Sequence, residues 1–273
     1  MRRIMLTVAY DGTRYHGWQR QPDKNSIEDV LDQCLSDLTR EPVRVIGASR
    51  TDAGVHALGN VAVFDTQARM GADKFSYALN QRLPEDIRIR ASREVPADFH
   101  PRKTESIKTY EYHILNEEFA NPVERLYSYF CYVPLDEGLM QRAADFLVGE
   151  HDFQSFCSAG AQVESTVRTL YSCTVRREET KLTIRIQGNG FLYNMVRIIA
   201  GTLMEAGKGK YPPEHVRDIL LAADRRAAGP TAPARGLVLV SYRFPELERA
   251  FMSKDGCEAA ESAGINGPEN LKF

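Results

Sequence analysis

The chain has 273 residues, of which 43% are hydrophobic and 26% charged, and its formal net charge is −2 at pH 7. This composition is typical of a soluble globular protein, and no apolar run approaches the roughly 20 residues that cross a bilayer. A charge near zero excludes a uniformly basic nucleic-acid binder, so an anionic partner would have to meet a local basic patch. The five cysteines are scattered without a CxxC pair, which argues against a zinc site or a disulfide framework and favours a reducing cytoplasm.

The first half of the chain combines predicted strands and helices. Alternating polar and apolar residues predict strands at 3–10, 43–48, 60–66 and 87–95. Apolar residues at helical spacing predict helices at 26–39 and 73–82, and Ser26 is the expected N-cap of the first.

The second half repeats this organisation. Strands are predicted at 108–115 and 236–244, together with a hairpin at 169–191 that turns near 178–181. Helices are predicted at 137–149, 191–207 and 212–224, with a glycine ending each of the first two.

Strands that follow strands, with helices beside them, predict an α+β fold with mixed or antiparallel sheets and flanking helices. We expect an N-terminal α+β half at 1–105 and a C-terminal α+β half at 106–245, with strands and helices in similar proportion. The apolar pattern fades after residue 246, so 246–273 is predicted to be a flexible acidic tail.

The common motifs of cofactor and metal enzymes are missing from the sequence. It has no GxxxxGK[ST] or GxGxxG phosphate loop, no HExxH zinc motif and no GxSxG nucleophile elbow. The histidines are dispersed, and each alone is interpreted as structural or solvated: His56, His100, His113, His151 and His215. We therefore expect neither a metal site nor a cofactor.

One short stretch, ASRTDAGVHA at 48–57, concentrates groups that could do chemistry. It lies between two predicted strands, so its side chains would be held on a scaffold at a surface cleft. Gly54 permits a sharp turn, and the Thr51 hydroxyl can tie the loop back. Asp52 is a candidate catalytic carboxylate, although on spacing alone a turn-stabilising ion pair with Arg50 is the stronger interpretation.

SRTDAGVHA also resembles the signature of the tRNA pseudouridine synthase A family, and the resemblance covers about residues 4–244. Further blocks match in the family's order: YDGTRYHGWQRQP (10–22), LNQRLPEDIRI (79–89), DFHPRKTESIKTYEYHI (98–114), GEHDFQSF (149–156), GNGFLYNMVRIIAGTL (188–203) and APARGLVLV (232–240). One departure is Ser49, since the family most often has glycine before the Arg-Thr-Asp triplet. Serine is also small, so the loop is still expected to form.

The resemblance implies the pseudouridine synthase fold, in which two similar halves form a central RNA-binding cleft. It also implies isomerisation of uridine to pseudouridine at positions 38, 39 and 40 of the tRNA anticodon stem-loop. The N1–C1′ glycosidic bond breaks, the uracil turns, and C5 bonds to the ribose. This reaction changes no oxidation state and transfers no group, so it requires no cofactor. It needs an ionised carboxylate, a dry pocket and a base taken out of its stack.

The resemblance also implies roles for individual residues. Asp52 is the nucleophile or base, and Arg197 in NMVR matches the arginine whose nearby charge keeps that carboxylate ionised. Tyr110 matches the tyrosine that packs against the uracil, and its phenol could assist proton removal from C5. Arg50 would fill the vacated stack or grip a phosphate. Without the resemblance, Arg197 would be interpreted as a snorkelling helix residue and Tyr110 as a packing residue.

RNA binding must come from the rest of the surface. Arg14 and Arg20 are predicted to contact the substrate. The remaining candidates for phosphate contact, for which simple solvation is an equal alternative, are Trp18, Lys24, Arg82, Arg102, Lys103 and Lys108. The family acts as a homodimer with tRNA across both subunits, so the expected partners are tRNA and a second copy, without a membrane.

Two rival functions remain open at this point. In the first, the protein is an RNA-binding module without catalysis, and Asp52 only braces its loop. In the second, it is an Asp-dependent hydrolase of glycosides or phosphoesters. Retaining glycosidases use two carboxylates about 5–5.5 Å apart, and phosphoester chemistry usually uses metal ligands. The sequence shows no second carboxylate in a comparable context.

Overall fold

The computed structural model describes residues 1–160 and 163–249. In chain order the strands are β1 (Arg2–Tyr10), β2 (Ile46–Gly47), β3 (His56–Thr66), β4 (Ile87–Val95), β5 (Ile107–Leu115), β6 (Tyr129–Phe130), β7 (Gly149–Asp152), β8 (Val167–Glu178), β9 (Lys181–Gly188) and β10 (Leu237–Arg243). The α-helices are α1 (Ile27–Thr39), α2 (Lys74–Asn80), α3 (Glu137–Asp145), α4 (Met195–Gly207) and α5 (His215–Ala222).

All these strands belong to one mixed sheet, in the order β4-β1-β3-β10-β5-β9-β8-β7, with β2 on β3 and β6 on β5. The succession β-α-β-β-α-β occurs twice, as β1-α1-β2-β3-α2-β4 and as β5-α3-β8-β9-α4-β10. In each half the first strand lies antiparallel between two partners. The prediction of an α+β fold with two similar halves is therefore confirmed.

The halves meet where β10 pairs in parallel with β3, through Val238 opposite His56 and Leu239 opposite Ala57. Because β3 follows directly on the predicted catalytic loop, this junction brings that loop next to the second half. One sheet is thus continuous through both halves, and the cleft opens beside its central strands.

Helix α4 is the most buried helix of the second half. Of its thirteen residues, all are buried except Arg197 and Glu205. Fully burying one Leu or Ile side chain contributes about 1.5–3 kcal/mol, so the helix is held firmly by its packing. Arg197 is therefore a charged exception on a helix that the core otherwise covers.

The predicted strand at 43–48 is the clearest error of the element predictions, because only Ile46–Gly47 pairs as a strand. The backbone N–H groups just before this strand donate hydrogen bonds to side chains instead. Asp32 Oδ1 accepts from Val45 N at 2.7 Å, and Ser36 Oγ accepts from Val43 N at 3.0 Å. These acceptors lie on α1, so long-range packing replaces the strand that the alternation predicts.

Several helix boundaries also differ from the predictions. The helix predicted at 191–207 begins at Met195, because Asn194 takes the left-handed conformation with φ 59°. The helix predicted at 137–149 ends at Asp145, and Gly149, with φ 111°, begins β7 instead. The prediction at 26–39 was accurate: the Ser26 side chain caps α1 by accepting from Asp29 N.

The first residues of the predicted tail belong to the folded structure. Residues 245–249 are helical, and Leu247 is buried in a cluster with Phe99 and Phe244. The rest of the predicted tail, 250–273, lies outside the described residues. Within the described ranges, no helix combines the length and the apolar character that a membrane crossing needs.

Candidate active site

The loop that carries Asp52 is tied down on several sides. Trp18 N donates to Thr51 O at 3.0 Å, and the Tyr10 and Thr51 hydroxyls are 2.8 Å apart. Asn60 Nδ2 donates to Ser49 O at 3.1 Å. These bonds join the loop to β1, β3 and the segment after β1. The Asp52 side chain is therefore presented from a fixed backbone.

The segment after β1 packs so closely on this loop that glycine is required. A Cβ at Gly17, where φ is 89°, would lie 2.5 Å from Thr51 O. A Cβ at Gly47 would lie 2.0 Å from Trp18 Nε1. Trp18 is 1% exposed and donates from Nε1 to Glu28 Oε1 at 2.8 Å. The prediction that Trp18 contacts phosphate is wrong, since its ring is part of the core.

The structure brings Asp52 and Arg197 together across 145 positions of sequence. Arg197 Nη1 lies 3.0 Å from Asp52 Oδ2, and the side chains are 18% and 31% exposed, respectively. The opposite charges attract each other at this distance, and water screens them only in part. The alternative pairing within the loop does not occur: no ion pair joins Arg50 to Asp52.

Arg197 itself is held in place by two further acceptors. Its Nε donates to Ala232 O at 2.7 Å, and its Nη1 also donates to Asn194 Oδ1 at 2.8 Å. The backbones of the two residues are also joined, because Ala232 N donates to Arg197 O. Asn194 Nδ2 in turn donates to Ser158 Oγ at 3.0 Å. Asn194 was not among the predicted site residues, although its position one turn before Arg197 in NMVR was the available signal.

Tyr110 lies in the same cleft, on β5. Its hydroxyl is 3.3 Å from Ser49 Oγ, and its ring meets Phe191 edge-on with the centroids 5.1 Å apart. Burial raises the pKa of Tyr110 to about 12, an effect that the Ser49 hydrogen bond opposes and the Asp52 charge reinforces. The phenol of the free protein therefore carries its proton at pH 7 and can donate a hydrogen bond.

These groups line a cleft of about 930 Å³. Its wall is rich in cations, while the Asp52 carboxylate is already paired: the lining includes Arg50, Arg102, Lys108, Arg168 and Arg197. Arg50 is exposed, and no hydrogen bond or ion pair fixes its guanidinium to another described residue. A chain with a net charge of −2 thus carries the local basic patch that an RNA substrate requires.

Arg14 and Arg20 do not line this cleft. Arg20 donates to Asp32 Oδ2 at 2.6 Å and to Val45 O at 2.9 Å, so it braces α1 against the approach to β2. Arg14 is 68% exposed and donates to Asp86 Oδ2. The structure gives both side chains intramolecular partners, and their contact with RNA stays a prediction.

His56 has a structural environment, as expected. Gly12 N donates to its Nδ1 at 3.2 Å, and its Nε2 lies 3.0 Å from Leu126 O. Asp11 Oδ1 also lies 3.1 Å from Nδ1, so both ring nitrogens of His56 have partners within the fold. Within residues 1–160 and 163–249, no three His, Cys, Asp or Glu side chains form a group that could hold a metal ion.

Comparison with known proteins identifies the family. A family model described as tRNA pseudouridine synthase matches residues 6–102 and 143–245, which include Asp52 and Arg197. This chain belongs to the tRNA pseudouridine synthase family. Its members are isomerases, so family membership favours isomerisation over both rival functions.

Several curated relatives match the family assignment. The tRNA pseudouridine synthase A of Acetivibrio thermocellus is 47% identical over 244 residues, covering 89% of this chain and all of the relative. That of Ruminiclostridium cellulolyticum is 48% identical over 245 residues, with the same coverage. That of Brevibacillus brevis is 47% identical over 239 residues, covering 88% of this chain and 98% of the relative.

Proposed function

We propose that this protein converts uridine to pseudouridine at positions 38, 39 and 40 of the tRNA anticodon stem-loop, with Asp52 as the catalytic nucleophile. The observation that carries the proposal is the Asp52–Arg197 pair, in which a carboxylate is held 3.0 Å from a fixed guanidinium inside a basic cleft. Family membership supports tRNA as the substrate.

The site matches the demands of the reaction. Attack by the Asp52 carboxylate on C1′ breaks the N1–C1′ bond and releases the uracil as an anion. The uracil turns, C5 forms the new bond to C1′, the carboxylate leaves, C5 loses its proton and N1 gains one. Because substrate and product are isomers, all atoms and electrons are conserved without a further reactant.

Tyr110 supplies a surface for the displaced base. Its ring is largely buried, so the target uracil would stack on the remaining exposed face in a site with little water. Stacking of a base on an aromatic side chain contributes about 1–3 kcal/mol. We also propose that its phenol hydrogen-bonds to the base and assists proton removal from C5.

Exposed Arg50, next to the catalytic loop's Thr51 and Asp52, is suited to grip a phosphate or to fill the vacated stack. We also propose that the protein acts in the cytoplasm as a homodimer, with tRNA in contact with both subunits. Sedimentation with and without tRNA tests the dimer.

The direct test is to incubate the protein with unmodified tRNA and to map pseudouridine along the product. We expect it at positions 38–40 only, with an intact RNA chain and no loss of activity in EDTA. Pseudouridine outside the anticodon arm would overturn the proposed positions. Cleaved RNA would support the hydrolase instead.

Asp52→Asn tests whether the Asp52 carboxylate is catalytic. We expect it to abolish tritium release from tRNA labelled at uridine C5 and to leave tRNA affinity within a few-fold, because phosphate contacts supply most affinity. Asp37→Asn, which removes an exposed carboxylate outside the cleft, should still release tritium. Substantial turnover by Asp52→Asn would remove Asp52 from the nucleophile role.

A further inference from the structure

Lys108 is a lysine of the cleft without an ionic partner. It precedes Tyr110 by two residues on β5 and lies opposite Tyr242 of β10, with its Nζ 5.2 Å from the centre of the Tyr242 ring. Among the described residues, no carboxylate lies within ion-pair distance of its ammonium, and Asp52, which lines the same cleft, pairs with Arg197. A partly buried lysine is ordinarily paired.

The neighbours of Lys108 add to its positive charge. Arg168 of β8 and Arg102 line the same cleft, and neither has a carboxylate partner in the described chain. Burial, reinforced by the Arg168 charge, lowers the pKa of Lys108 to about 8. Burial also lowers the pKa of Arg168. In the free protein Lys108 and Arg168 repel each other while both are partly withdrawn from water, so their proximity costs stability, whereas Arg102 is exposed.

We propose that Lys108, Arg102 and Arg168 form a binding site for one backbone phosphate of the RNA, next to the nucleotide whose base lies on Tyr110. A phosphate could pair with these cations and would offset the free-energy cost of desolvating Lys108 and Arg168 in the free protein. This inference rests on the proposed function and assigns a specific ligand group to one end of its cleft.

The geometry of β5 supports this placement. Residues two apart on a strand share a face and stand roughly 6.8 Å apart, so Lys108 and Tyr110 project on the same side. That spacing is within the length of one nucleotide. A base on Tyr110 and a neighbouring phosphate on Lys108 can therefore be held together, which would fix the position of the nucleotide that reacts.

The site predicts opposite effects of one substitution on stability and on binding. Lys108→Met removes a charge that only RNA compensates. The free variant should therefore unfold at the same or a higher temperature, whereas its tRNA affinity should fall about 10-fold to 100-fold, as for the loss of one charged hydrogen bond. The slope of log K against log salt should become smaller by about 1. Lys108→Arg should keep most of the affinity.

Lys74→Met is the matched control, because Lys74 lies outside the cleft, beside Asp73 and Tyr77. It removes the same charge and should leave both affinity and salt slope nearly unchanged. A packing role for Lys108 predicts the reverse pattern, in which the methionine variant loses stability and Lys108→Arg does not rescue binding. That result would overturn the proposal.

The phosphate itself can be identified by chemical substitution. In anticodon-arm RNAs that carry one uncharged methylphosphonate at successive positions, we expect one position to weaken binding of the wild-type protein but not of Lys108→Met. Equal effects on both proteins at every position would contradict the inference even if the wild type isomerises uridine. If the wild type neither binds nor modifies tRNA, the proposed function fails instead.

Discussion

At the scale of single residues, the Asp52–Arg197 pair predicts an energetic coupling. Both side chains are partly exposed, so we expect the ion pair to contribute about 1–2 kcal/mol, between the values for surface and fully buried pairs. Arg197→Met should lose activity and more stability than this, because it also leaves Ala232 O and Asn194 Oδ1 without their donor.

A double-mutant cycle measures the pair itself. Asp52→Asn combined with Arg197→Met should be less destabilised than the sum of the single changes, by at least about 0.5 kcal/mol in denaturant unfolding. Strict additivity would show that the two side chains do not interact in solution.

Tyr110 and Tyr112 offer a second comparison of single residues. Tyr110→Phe should lose most turnover and keep RNA affinity, because it retains the stacking face and removes the phenol; Tyr110→Ala should lose both. Tyr112 is fully buried and donates to Pro233 O at 2.9 Å. Tyr112→Phe should turn over nearly like the wild type and lose about 1 kcal/mol of stability. An inactive Tyr112→Phe with an active Tyr110→Phe would reverse the assignment.

At the scale of elements, α4 and the segment before β10 form one unit that positions Arg197. A Cβ at Gly201 would lie 1.8 Å from Pro230 O, two residues from the Ala232 carbonyl that Arg197 binds. Gly201→Ala should therefore cost about 2–3 kcal/mol or more and reduce kcat beyond the loss of folded protein.

The control lies on the same helix. A Cβ at Gly207 would lie 2.6 Å from Cγ of the buried Met140, a side chain that can shift where the backbone carbonyl at Gly201 cannot, and alanine favours a helix by about 1 kcal/mol over glycine. Gly207→Ala should therefore change stability by less than about 1 kcal/mol. Thermal unfolding and turnover of the two variants measure this difference. Equal stability of Gly201→Ala and Gly207→Ala would contradict the backbone contact at Gly201.

At the scale of the whole molecule, binding should depend on the cleft and not on the net charge. The formal charge is −2, yet four cleft cations, Arg50, Arg102, Lys108 and Arg168, have no carboxylate partner among the described residues. With one phosphate on Arg50, another shared by the other three, and about 0.7–0.9 counterions released per phosphate, log K against log salt should have a slope of roughly −1.5. A slope near zero would show that tRNA binds elsewhere.

The sequence by itself predicted the two α+β halves, the Asp52 loop and, through its resemblance to a family, the likeness of Arg197 and Tyr110 to active-site residues. Local signals suffice for these, because alternation, caps and glycine turns act within a few residues. Only the tertiary structure decided the rest. It tied Arg20 to Asp32, held Arg197 on Ala232 O and Asn194, buried Trp18, and left Lys108 partly buried without a carboxylate partner among the described residues. Ion pairing and desolvation depend on which distant segments pack together, and spacing along the chain does not encode that.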